Sequence, residues 1–260
     1  MTSSLDTNHV NRRQALIGFG SVSLGALLAA CGGDDGSSQT TTAEVTTREG
    51  GTTTVQPKTS ASRGELFDDS SSCTLTPQET EGPYYFDPDA IRTDIREDRK
   101  GITLRLAIRV RDAERCEPLS NAVVDIWHCD AEGIYSGFES ASTGGPGGGR
   151  TDDEKYLRGA QVTNSDGIVE FKTIYPGWYR GRTVHIHAKV HVDNQTALTT
   201  QLYFDEDVTA SVYEQEPYAS HAGRDTFNDG DNIFDEETLV KLSKEGDGYL
   251  GVISFDVAQT

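Results

Sequence analysis

This chain of 260 residues is short of positive charge. Twenty-three lysines and arginines stand against 42 aspartates and glutamates, for a net charge of −19. Nucleic acids and anionic membrane surfaces attract basic proteins, so both are excluded as electrostatic partners. Long apolar runs are also missing. A membrane-spanning helix needs about 20 consecutive apolar residues, and the best run, Ala15 to Ala30, is diluted by glycine and serine. No long stretch repeats its apolar residues at a helical period, so a helical bundle is excluded as well. Methionine occurs only as Met1, and nothing about function follows from that.

What is present falls into three parts. In residues 1–31, Asn11-Arg12-Arg13 precedes the apolar run, which ends Leu28-Ala29-Ala30-Cys31-Gly32. Small residues before a cysteine at that point resemble a bacterial lipobox, with Cys31 as the lipidated first residue of the mature chain. The paired arginines resemble a twin-arginine export signal. The expectation is an exported protein, lipid-anchored through Cys31 on the outer face of the bacterial cell membrane. Residues 32–72 are rich in Gly, Ser, Thr and Asp and read as a disordered tether, because such a stretch buries too little surface to offset its ordering entropy. Residues 73–260 remain as the folded domain.

That domain reads as strands. Ile102, Leu104, Leu106, Ile108 and Val110 alternate with polar neighbours, the pattern of a half-buried antiparallel strand. Further strands are expected at 122–127, around 168–171, and at 184–192, 198–204 and 249–256, with Glu245-Gly246-Asp247-Gly248 as the turn of a closing hairpin. Short strands between turn-rich loops predict an all-β fold, an antiparallel β-sandwich with long active-site loops. Thr143 to Arg150 is glycine-rich, a lid or a tolerated surface insertion, and Glu214 to Asp235 reads as a solvated acidic excursion.

Val184, Ile186, Ala188, Val190 and Val192 alternate in the same way, so His185 and His187 share the opposite face. Two imidazoles on one face of a strand are a ready pair of metal ligands for zinc, copper or iron. Tyr179 and Arg182 lie just upstream, past a Pro-Gly turn that can fold them back. Asp130 and Glu132 are rival carboxylate ligands, whereas His128 reads as a surface residue and Tyr84, Tyr85 and Tyr203 as packing or turn tyrosines.

Three further segments sharpen this: Thr80-Glu81-Gly82-Pro83-Tyr84-Tyr85, the stretch from Asp125 to Gly137 that holds Tyr135, and Thr200-Gln201-Leu202-Tyr203-Phe204. With Pro176-Gly177-Trp178-Tyr179, Arg182 and the histidine pair, they resemble, in order, the intradiol ring-cleavage dioxygenases of catecholic compounds. The resemblance covers roughly residues 74–205. It implies a non-haem ferric iron, Fe(III), held by Tyr135, Tyr179, His185 and His187, with Tyr179 as the displaceable ligand and proton acceptor. Arg182 resembles the family's active-site arginine, and Gln201 a polar residue near the point of oxygen attack. The implied partners are a catecholic substrate and O2, and the implied product is a muconate-type diacid. Trp178 before Tyr179 and Arg180 after it depart from the protocatechuate enzymes, where a Pro-Trp pair follows that tyrosine. Two other readings compete: a surface-attached β-sandwich binding module without catalysis, and a zinc-dependent hydrolase using His185, His187 and Asp130.

An exported protein keeps disulfides, so Cys73, Cys116 and Cys129 should give one bridge and one free thiol. Cys116 and Cys129 flank a strand that separates them by roughly 20 Å, which leaves Cys73 to pair with one of them. The expected bridge is Cys73–Cys129, bracing the loop that carries Tyr135.

Overall fold

A computed structural model describes residues 43–46, 52–55, 66–67, 73–144, 149–193 and 195–258. The export segment with Cys31, most of the 32–72 stretch and residues 145–148 of the glycine-rich loop lie outside the described residues. The chain divides into two compact units, Met1–Gln56 and Pro57–Thr260. In the first, two strands stand within the stretch read as a tether: β1 (Ala43–Thr46) pairs antiparallel with β2 (Thr52–Val55). Both are Thr- and Val-rich, and β-branched residues favour extended backbone.

Among the described residues of the second unit, eight strands follow: β3 (Thr103–Asp112), β4 (Val123–Trp127), β5 (Arg158–Val162), β6 (Ile168–Ile174), β7 (His185–Val192), β8 (Gln195–Tyr203), β9 (Lys241–Glu245) and β10 (Gly248–Val257). They form two four-stranded sheets, ordered β6-β3-β10-β9 and β5-β4-β7-β8. One apolar cluster draws on both, with Leu104, Leu106, Ile108, Phe171 and Phe255 from the first and Val124, Ile126, Ile186, Ala188 and Leu202 from the second. The expected hairpin joins β9 to β10, and Gly246 at its turn has φ +57°, a conformation glycine adopts without the cost of a Cβ. Among the described residues helix is confined to short pieces, including α1 (Glu139–Ser142) and α2 (Glu206–Tyr213). Among the described residues no helix is long and apolar enough to cross a membrane.

Three expectations need correction. The first sheet is not wholly antiparallel, because β10 runs parallel to β3, with Tyr249 beside Leu104 and Val257 beside Asp112. Parallel neighbours require a long connection, and everything from β4 to β9 lies between these two. β3 is not half-buried either. Its second face carries Ala107, which packs with Phe67, Ile168, Leu250 and Val252, and Arg109, whose guanidinium lies 4.9 Å over the Phe67 ring. Packing therefore begins upstream of Cys73.

The third correction is the disulfide. Cys73 pairs with Cys116, their Cα atoms 5.6 Å apart, and Cys129 is the buried free thiol. Thr76 exchanges hydrogen bonds with Asp256 near the end of β10, beside the turn after β3 that holds Cys116. The segment does go on to the site, but Thr80 is seven residues from Cys73, about 23 Å of extended chain. Cys129 instead sits at the far end of β4, where its thiol donates to the Gly177 carbonyl at 3.4 Å.

Candidate active site

Strand pairing builds the floor of the site. Ile186, Ala188 and Val190 face the apolar cluster, so His185 and His187 face away from it. In register, Trp127 opposes Arg158 on one side and His187 on the other, and His187 opposes Gln201. Directly opposed residues share a face, so Arg158, Trp127, His187 and Gln201 form one row across all four strands. The Trp127 and His187 rings stack at 4.9 Å with 4° between planes. Trp127 is buried in an aromatic cluster with Tyr135 and Phe138.

Two loops carry the tyrosines, and glycines bring them together. Tyr135 follows a turn in which the Asp130 carboxylate accepts from the Glu132 and Ile134 amides. Gly133 in that turn has φ +82°, and a Cβ there would lie 2.3 Å from the Trp178 carbonyl. Gly177 donates to the Asp130 carbonyl at 3.0 Å, and a Cβ on it would lie 2.2 Å from that oxygen. With backbone against backbone, the Tyr135 and Tyr179 rings come to rest 5.7 Å apart. A third segment closes over them. Tyr84 lies 4.8 Å from Tyr135, and Gly82 sits so close to His187 that a Cβ would be 3.1 Å from its ring.

All four predicted ligands converge. His185 Nε2 lies 3.1 Å from His187 Nε2, 3.1 Å from the Tyr179 hydroxyl and 3.4 Å from the Tyr135 hydroxyl. His185 Nδ1 donates to the Thr183 carbonyl at 2.7 Å, which fixes the tautomer and leaves Nε2 as a bare lone pair. Burial depresses both imidazoles, His185 to about 3, so both are neutral. Burial pushes both phenols well above their ordinary value, so either becomes a phenolate only if a cation joins it. A pocket with two neutral imidazoles and two phenols around one point, and no Lys or Arg nitrogen bonded to them, suits a cation of high charge. Hard anionic oxygens with imidazole fit ferric iron in particular. His187 Nδ1 is buried without a protein partner.

The predicted polar neighbours are here too. Arg182 donates from Nη2 to Gln201 Oε1 at 2.6 Å and from Nε to Asp231 Oδ2 at 2.8 Å. Gln201 in turn donates to the Thr80 carbonyl at 3.1 Å. Asp231 also accepts from the Thr183 amide, so the end of the 214–235 segment lines the site, while much of the rest is exposed as expected. His221 stacks on Trp178 at 4.6 Å, and Arg224 makes two hydrogen bonds to Glu206 on α2.

The rivals fall away. Asp130 is consumed by its own turn, where its carboxylate accepts from the Glu132 and Ile134 amides. His128 is not a surface residue. It is fully buried between the Cys129 carbonyl and Thr173 Oγ1, both at 2.7 Å. Sequence reasoning missed Glu79, Asp231 and Arg158. Glu79 and Asp231 reach the site through contacts more than forty residues away in sequence, and no local spacing marks them. The strand period could have placed Arg158 only once its partner strand was known.

A family model for a dioxygenase matches residues 80–219. The chain belongs to that family, the intradiol ring-cleavage dioxygenases. It is 32% identical to a chlorocatechol 1,2-dioxygenase of Rhodococcus opacus over 132 residues, 44% of this chain and 48% of that protein. It thus spans about half the length of the curated relatives it matches. Among solved structures it resembles an intradiol ring-cleavage dioxygenase from Tetranychus urticae, with TM-score 0.68 and 34% identity over 72% of this chain and 95% of that one. The dioxygenase domain of a dioxygenase–carbohydrate-binding fusion from a cellulolytic Streptomyces species matches with TM-score 0.54 and 31% identity, over 72% of this chain and all of that domain.

Proposed function

We propose that this domain is a non-haem Fe(III) dioxygenase that opens a catecholic ring between its two hydroxylated carbons with O2, leaving both oxygen atoms in a muconate-type diacid. The observation that carries the reading is the meeting of Tyr135, Tyr179 and His187 on His185 Nε2 within 3.4 Å. The apolar cluster shared by both sheets supports a β-sandwich as the frame.

In this reading His185 and His187 offer Nε2 lone pairs, and Tyr135 and Tyr179 offer phenolate oxygens. Bound ferric iron would supply the charge that keeps the phenols ionised and the electron withdrawal that lets a catecholate react with O2. A catechol must shed its hydroxyl protons, and a Tyr179 phenolate would be the base placed to receive one. Arg182, held by Asp231 and Gln201, presents a permanent cation to the negative charge that develops on the substrate oxygens. Gln201 lies beside His187 in register and orients Arg182. A zinc hydrolase would need a free carboxylate, and Asp130 is not one. A pure binding module has no use for buried phenols clustered on neutral imidazoles.

Iron-loaded protein given catechol should consume one O2 per ring and accumulate the ultraviolet absorbance of a muconate. A yellow semialdehyde product, or no O2 uptake, defeats the reading. The anchor reading rests on Leu28 to Gly32 alone. It predicts that Cys31→Ser moves the protein from the membrane fraction to the soluble one, and an unchanged distribution refutes it.

A further inference from the structure

Beside the four-residue cluster stands a carboxyl group that neither the motifs nor the mechanism uses. Glu79 is placed by its backbone N–H, which donates to the Thr199 carbonyl at 2.7 Å. Its Oε2 meets the Tyr203 hydroxyl at 2.6 Å, while its Oε1 is buried without a partner. The same hydroxyl lies 3.0 Å from the Ile233 carbonyl and 3.4 Å from Gln201 Oε1. Tyr203 has a single proton, yet the Ile233 oxygen can only accept and Gln201 Oε1 already accepts from Arg182. If Glu79 is ionised, it and Ile233 compete for that one proton and one buried acceptor goes without. If Glu79 is neutral, its own O–H donates to Tyr203 and Tyr203 donates to Ile233, so every donor has an acceptor.

We propose that Glu79 is a positioning residue whose neutral carboxyl, acting through Tyr203, holds the 231–235 segment in place and with it the Asp231 that anchors Arg182. Its surroundings agree. Burial is the largest influence and lifts the carboxyl to about 7, the Tyr203 bond opposes this, and Asp235 and Asp231 raise it against the pull of Arg182. These groups come from three elements around it: Tyr203 from β8, the two aspartates from the 231–235 segment, and Arg182 from the turn before β7. As pH rises through about 7, Glu79 ionises and draws the Tyr203 proton to itself. Ile233 then loses its partner, and a new carboxylate competes with Asp231 and Gln201 for the Arg182 guanidinium. Below that pH the carboxyl is neutral and the arrangement is complete.

The kinetic consequence rests on the ring-cleavage reading; the structural one does not. A single group of this kind makes kcat/KM for catechol fall about tenfold from pH 6 to pH 8. Glu79→Gln, whose amide donates to Tyr203 as the neutral acid does, should reduce that fall to less than about twofold. An equal fall in wild type and variant overturns the proposal. The second measurement needs neither metal nor substrate: backbone hydrogen exchange across 231–235, corrected for its intrinsic pH dependence. Wild type should show a rise in exchange through about pH 7, absent from Glu79→Gln and from Tyr203→Phe, which keeps the carboxyl but removes the link. A rise that persists in either variant overturns the proposal, as does a wild type without one. If no protein turns over catechol, the functional reading fails and the exchange measurement alone decides this one.

Discussion

In the β6-β3-β10-β9 sheet, the face turned away from the shared apolar cluster carries Ala107, Leu250 and Val252 under Phe67. Farther along it runs the buried Arg111–Asp256 pair. In the β5-β4-β7-β8 sheet, the corresponding face carries Trp127, His185, His187 and Gln201. The strands are built alike and the inner faces are interchangeable in character. The outer faces are not. One is closed by a phenyl ring and by charges that answer each other in register. The other gathers lone pairs that do not answer each other, beneath loops that Gly82, Gly133 and Gly177 allow to pack closely. Where donor atoms converge without a counter-charge, the fold has spent stability on a ligand.

The most direct way to break this contrast is to remove a donor. His185→Ala and His187→Ala should each bring iron content down to background and abolish the red-brown colour expected of tyrosinate bound to ferric iron, while the far-ultraviolet circular dichroism stays that of a folded β protein. The apolar cluster behind β7 does not include either ring. Persistence of colour in either variant would show that the cluster is packing and that the metal, if any, lies elsewhere.

How far the two faces could be read beforehand differs for the same physical reason. Period-two alternation reports which residues share a face, so Leu104 to Val110 and the His185/His187 pair were legible from the sequence alone. Alternation carries no direction, however, and a parallel β10 has the same pattern as an antiparallel one. Tyr135 and Tyr179 stand on loops, where no period applies, and only their resemblance to family motifs singled them out. Glu79, Tyr203 and Asp231 depend on pairings that span more than a hundred residues in one case, Glu79 with Tyr203, and about thirty in another, Tyr203 with Ile233. Such contacts exist only after folding. The cysteine pairing went astray by a matter of reach: the segment from Cys73 does arrive at the site, but only after running along β10 first.

A smaller effect sharpens the contrast from the other sheet. Arg111 and Asp256 are opposed in the β3–β10 register, and the guanidinium meets the carboxylate through Nε at 2.7 Å and Nη2 at 2.9 Å. Both side chains are under a tenth exposed. Two buried charges in contact offset part of each other's desolvation, and deleting one partner of a buried pair typically costs about 3–5 kcal/mol. Asp256→Ala should therefore lower the unfolding free energy by that order, read from the urea midpoint at unchanged slope. Asp256→Asn should cost less, because the amide oxygen still accepts one bond. The backbone bonds between Asp256 and Thr76 do not involve the carboxylate, so the Cys73 segment stays in place. Iron bound per folded molecule should then be the same as in wild type. If iron affinity falls in step with stability, the two faces are one cooperative unit and the division between a structural sheet and a chemical sheet is wrong.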